Sequence, residues 1–112
     1  MEIRFASSEL AKICNCSASI DRRWGKQIGA AIRERLCLLA GTPTLELLSE
    51  FAGLIKEPVK LDPHGRFAVA VISGCKLFVR PDHEPIPFLR NRELDCTRVK
   101  KLVIVEVHSN ER

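Results

Sequence analysis

The spacing of apolar residues changes period once along this chain, and that change limits the folds open to it. Ile20, Trp24, Ile28, Ala31, Ile32, Leu36 and Leu39 recur at intervals of three and four, the spacing of one helix face. Beyond them, "EPVKL" (57–61), "RFAVAVI" (66–72), "CKLFVR" (75–80) and "KLVIVEV" (101–107) are rich in β-branched residues and alternate or run apolar. Those are strand patterns. A helical first half and a strand-rich second half predict an α+β fold, an antiparallel sheet with N-terminal helices packed on one face. With 112 residues, the chain is expected to form one domain, 1–112.

Local signals divide the pattern into elements. "EIRF" (2–5) reads as a short first strand; it precedes the helices, so it is expected beside a later strand. Ser7 or Ser8 can cap a helix containing Leu10 and Ile13. Ser19 opens a longer helix that runs through Trp24 to about Gly41, where Pro43 forbids continuation. A short helical turn through "TLELLSE" follows. "ISGC" is a tight-turn signal, so the two middle strands should form a hairpin. With Ser73 and Gly74 as loop residues, Val71 pairs with Lys76 and Phe67 with Arg80. Phe67, Val69, Val71 and Phe78 then share a face with both cations. A slip of one residue would change every pair. The long loop from Pro81 to about Lys100 opens on the proline-rich "PDHEPIP", and long loops more often carry function than packing.

Apolar residues are 46% and charged residues 29% of the chain, which excludes a disordered polymer. No apolar run nears the roughly 20 residues of a membrane span. "MEIRFASSEL" lacks the basic and apolar regions of a signal peptide. Five cysteines cannot form a complete disulfide framework, so a reducing cytoplasm is expected. The net charge of +4 favours acidic partners such as nucleic acid. With no tyrosine and one tryptophan, a platform for stacking bases is poorly supplied.

The residues that could carry chemistry are mostly basic. Lys60 falls on an expected strand, His64 and Arg66 at the turn into the next, and Lys76 and Arg80 on the hairpin's second arm. An antiparallel sheet brings such positions within reach of one another. Converging Lys and Arg make a phosphate site; the plain alternative is a solvated strand end. Arg22, Arg23 and Lys26, with Arg33 and Arg35, line the polar side of the long helix, either as a wet face or as a grip on a nucleic-acid backbone. His64 and His108 are the natural proton carriers beside a bound phosphate, and His83 is a weaker third. Cys14 and Cys16 lack the spacing and second ligand pair of a zinc site, and Cys37 suits a helical core thiol. The chain contains no Gly-rich phosphate loop, zincin motif or nucleophile elbow.

These residues sit in a longer pattern: "MEIRF", "LAKICN", "IRERL", "GRFAVAV", "LFVRPDHEPIP", Asp95 and "VKKLVIVEV". In them the chain resembles the RelE/ParE-like toxin superfamily, specifically the HigB-like killer-protein branch of bacterial type II toxin–antitoxin systems. "PDHEPIP" is the most specific of the matching runs. The resemblance implies an antiparallel sheet with helices on one face and metal-independent cleavage of mRNA at the ribosome, without a cofactor. A ribose 2′-hydroxyl attacks the adjacent phosphate, which calls for a proton acceptor, a proton donor and cations. It further implies a cognate antitoxin, of helix-turn-helix type, as partner. Mapped onto this chain, His64, His108, Lys60 and Arg66 would be catalytic, and Lys76, Arg80, Arg22, Arg23 and Lys26 would hold RNA. Glu57 stands where the family commonly has His, Pro63 where it often has Arg, and Cys75-Lys76 where it has Tyr-Arg. These departures give a second reading, a catalytically degenerate binding module within a toxin–antitoxin or repressor complex.

Overall fold

The computed structural model describes residues 1–50, 53–56, 58–72 and 74–109. Strand β1 (Glu2–Phe5) leads into four helices, α1 (Ser8–Cys14), α2 (Ser17–Trp24), α3 (Lys26–Gly41) and α4 (Leu45–Leu48). After an irregular stretch come β2 (Phe67–Ile72), β3 (Cys75–Pro81), a 3-10 turn at Cys96–Arg98 and β4 (Lys101–Ser109). The fold is α+β, with the helices packed on the sheet. Strand order is β1-β4-β3-β2. β3 runs antiparallel to both of its neighbours, β2 and β4, but β1 runs parallel to β4, so the expected antiparallel sheet is mixed. The parallel pair needs a long crossover, and the helices supply the start of it.

One face of the sheet is buried under the helices. Ile20, Ile28, Ile32 and Leu39 pack with Val69, Leu77, Val79, Leu102 and Ile104 in one core. No helix among the described residues is long and apolar enough to cross a membrane.

The single long helix expected from Ser19 to Gly41 is two. Gly25 has φ +89°, a left-handed conformation that glycine adopts without the Cβ penalty, and it separates α2 from α3. Periodicity continued across the break because both helices bury apolar faces in the same core. The α2 cap is accordingly Cys16, not Ser19, whereas Ser7 caps α1 as expected, its hydroxyl accepting from Leu10 N–H. The two helices meet closely at Gly29, where an added Cβ would lie 3.1 Å from the Ile20 side chain. Trp24, at the end of α2, is only partly buried against the core.

The strand expected over 57–61 does not form: Pro58–Leu61 is irregular, and Glu57 lies outside the described residues. Pro58 has no N–H to donate to a ladder. Val59 is nonetheless buried, and its carbonyl accepts from Leu94 N–H at 3.1 Å. The alternation in this stretch thus records burial without sheet pairing.

The hairpin forms, with a corrected register. Ile72 pairs with Cys75 as the turn predicts, but the next pair is Ala70 with Lys76, then Ala68 with Phe78 and Phe67 with Val79. Val71 is the extra residue of a bulge, and the Arg35 guanidinium donates to its carbonyl at 3.1 Å. Ser73, one of the two expected loop residues, is outside the described set. Past the bulge the pairing is one residue out from the simple hairpin, which exchanges the partners across the faces. Phe67, Val69 and Val71 join Leu77 and Val79 in the core, while Lys76, Phe78 and Arg80 share the outward face with Ala68 and Ala70.

A second register shift lies between β3 and β4. Lys76 pairs with His108, Leu77 with Val107 and Phe78 with Glu106, but Val79 pairs with Ile104. Val105 is the extra residue. Leu102 and Ile104 therefore face the core before it and Val107 after it, and Glu106 and His108 face outward with Lys76.

Candidate functional site

The outward sheet face is where the chemistry-bearing residues collect. Alternation on β3 sends Lys76, Phe78 and Arg80 to one side, and β4 adds Glu106 and His108 directly across from Phe78 and Lys76. Phe78 is the hub. The His108 ring meets it edge-on at 6.2 Å, the Lys76 ammonium lies 5.5 Å from its centroid, and the Arg66 guanidinium lies over it at 4.8 Å. Cations over an aromatic face are attracted by its quadrupole and held in a defined place.

Arg66 reaches this hub from a turn built by Asp62. The Asp62 carboxylate accepts from the backbone N–H groups of His64 and Arg66, both at 2.8 Å, and from Arg66 Nε at 2.9 Å. Gly65, at φ +78°, closes the turn. Arg66 Nη1 also lies 3.6 Å from Glu106 Oε1. Its charge is thus met by two carboxylates, which orients the guanidinium and weakens its pull on a further anion. The Arg66 N–H leads the contacts that hold Asp62 below the ordinary aspartate range, followed by the Arg66 guanidinium and the His64 N–H.

The sign of that shift gives a prediction. A carboxylate whose folded-state pKa is depressed contributes stability above its unfolded pKa, and this is lost as pH falls through the folded value. The 62–66 turn should therefore hold through the ordinary aspartate range and open only in stronger acid. NMR titration should show the His64 and Arg66 amides moving together with the Asp62 carboxyl, below the range of an unperturbed aspartate.

A trough runs beside this hub along the edge of β2. Its two adjoining cavities, about 460 and 370 Å³, share Lys56 and Ala68. Ala68 and Ala70 give it a low floor, Lys76 borders one end, and Lys60, Arg66 and Phe78 border the other. A bond from Ala70 N–H to the Leu54 carbonyl, 2.7 Å, fixes the outer wall to the strand.

Of the residues expected from the sequence, Arg66, Lys76 and His108 are brought together. Lys60 is exposed at the trough's rim, not on a strand. His64 is exposed in the Asp62 turn and lines, with Arg80, a separate cavity of about 470 Å³ bounded by Asp82 and His83. Arg80 is four residues from Lys76 along β3, about 13 Å at the rise of a strand. His108 is thus placed at the Lys76 end of this row and His64 at the Arg80 end. Arg22, Arg23 and Lys26 are exposed on α2 and at the start of α3, in the helical layer and not on the outward sheet face. Arg22 bonds Ser19 and Arg23 stacks on Trp24 at 5.4 Å. His83 Nε2 accepts from Lys100 N–H at 3.0 Å, an anchor for the proline loop.

Sequence reasoning missed Glu106, Asp62 and Lys56. Glu106 could have been found: in "KLVIVEV" it is the one acidic residue in an apolar strand, and a charge there must face water or a partner. Asp62 had the Asx-turn signature, an aspartate two and four residues before the amides it accepts from. Lys56 carried no signal.

The chain matches no protein-family model, no curated protein and no solved structure. Among the described residues no group of three or more His, Cys, Asp or Glu side chains could hold a metal. The site offers instead a cationic amine, a guanidinium, an imidazole and a carboxylate around one aromatic ring. That set can bind a phosphodiester and move protons at it.

Proposed function

We propose that this protein is a RelE-like, HigB-type toxin, an endoribonuclease that cleaves mRNA at the ribosome without a metal and is restrained by a partner antitoxin. The observation that carries this reading is the pairing of Lys76 with His108 across β3 and β4, beside Phe78 and Arg66, on a sheet face the helices leave open. In the reaction, the 2′-hydroxyl of one nucleotide attacks its own 3′-phosphate, and the 5′-oxygen of the next leaves. Lys76 and Arg66 offset the charge that grows on the phosphorane oxygens. His108 transfers a proton at one of the two reacting oxygens. Glu106, two residues before it on the same outward row, serves the other. Lys60 and Lys56 grip flanking phosphates along the trough, a sequence-independent contact.

The ion pairing of Arg66 with Asp62 and Glu106 favours the second reading, a binding module without catalysis, because it leaves the guanidinium and Glu106 satisfied by each other. Expression in a bacterium separates the two. A toxin should arrest growth and shorten mRNAs within coding regions, and the purified protein should cleave RNA equally well in a chelator. Unchanged growth and intact transcripts at confirmed expression would leave the binding module.

A further inference from the structure

The proline loop carries a small hairpin whose tip no part of the proposed reaction uses. Phe88 and Leu94 form a bridge, and the turn between them is closed by Leu89 N–H to the Glu93 carbonyl at 2.8 Å and Arg92 N–H to the Leu89 carbonyl at 3.0 Å. Arg92 adopts φ +70°. Its base is fixed to the body: Leu94 is buried at 3% exposure, its N–H bonds the Val59 carbonyl, and Asp95 N–H bonds the Pro87 carbonyl at 2.9 Å. On this anchored frame Phe88 is 48% exposed, the only aromatic among the exposed large apolar residues described. Single exposed apolar residues are ordinary. This one lines a cavity of about 670 Å³ with Lys60, Leu61, Asn91 and Arg92.

Lys60 also lines the trough beside Arg66 and Phe78, so the cavity continues the proposed RNA path. An aromatic face, two cations and a side-chain amide make the composition of a nucleotide subsite. The ring stacks a base, the cations take the phosphate, and the amide bonds the base edge. Asn91 Oδ1 already accepts from Glu93 N–H, which leaves its NH₂ to donate. Because the hairpin is held by its own bonds, little ordering is needed on binding.

We propose that the Phe88 hairpin is a base-stacking subsite for a nucleotide flanking the cleaved bond, with Lys60 on the intervening phosphate. The proposal rests on the ribonuclease reading and adds to it the source of any preference for a flanking base.

The test uses a 2′-O-methyl oligoribonucleotide of roughly eight residues, a length suited to such a path, with 2-aminopurine at successive positions. Binding is read by anisotropy and stacking by quenching. One position should be quenched by the wild type and not by Phe88→Ala or Phe88→Leu, with affinity about tenfold weaker in both, while Phe88→Trp restores both signals. Phe88→Leu keeps the apolar area, so leucine behaving as wild type would overturn stacking in favour of docking an apolar peptide. Binding lost in Lys76→Gln but untouched in every Phe88 variant would overturn the subsite and leave the ribonuclease reading standing. No RNA binding by the wild type would overturn both.

Discussion

His108→Ala should slow single-turnover RNA cleavage by on the order of a hundredfold or more while RNA affinity stays near wild type. The imidazole sits across the ladder from Lys76 in a T-shaped contact with Phe78, so its removal takes away a proton carrier and leaves the cations in place. Lys76→Gln should do the reverse in part. It should weaken binding and flatten the dependence of affinity on salt, since one fewer counterion is released. His64→Ala is the internal control. That residue belongs with Arg80 at the far end of β3, and its loss should change turnover little. A His64 variant as slow as the His108 variant would move the reaction to the Arg80 end of the sheet. A His108 variant of full activity would remove the proposed chemistry from the Lys76 end.

Ile32→Ala should cost about 2–5 kcal/mol of stability. Ile32 is fully buried, in the middle of α3 and within the core that α3 shares with the sheet. Truncation removes its transfer energy and leaves a cavity that an anchored helix cannot collapse around. The urea midpoint should fall with its slope unchanged. Trp24→Ala should cost less despite the larger side chain, because the ring is only partly buried beyond the helix break and lies under Arg23. If Trp24 proved the costlier of the two, the α2 end would be more deeply packed than its exposure implies.

The sequence carried the class of fold well, because period is written in many residues at once: the β2, β3 and β4 runs lie within a residue or two of their structural limits. Gly25 was the point where it failed in the helices. A glycine inside a periodic run is compatible with a continuous helix, and only its positive φ, set by the packing of α2 on α3, ends one. Pro58–Leu61 failed for the opposite reason, since Val59 is buried by a loop contact that looks the same in sequence as strand burial. The site was legible as a set of cations and histidines but not as an arrangement. Lys76 and Arg80 were expected on one face with Phe78, and they are. Which histidine joins them is decided by β4, whose pairing with β3 is a long-range choice that no local signal states. Arg22, Arg23 and Lys26 belong to the helical layer for a similar reason: the charge pattern marks a wet face without saying which way it looks.

Val105 gives the site an unusual dependence on counting. Up to Ile104 the even-numbered residues of β4 belong to the core, and from Glu106 onward they belong to the solvent. The strand changes parity at one residue. Were Val105 to take a ladder place of its own, Glu106 and His108 would turn inward and Val107 out; as the extra residue of a bulge it stays out of the count, and Glu106 lies opposite Phe78. Deleting it would join Ile104 directly to Glu106 and leave every later side chain facing as it does. A lineage could therefore lose that codon and keep the site, but could not straighten the bulge, keep the codon and keep the site.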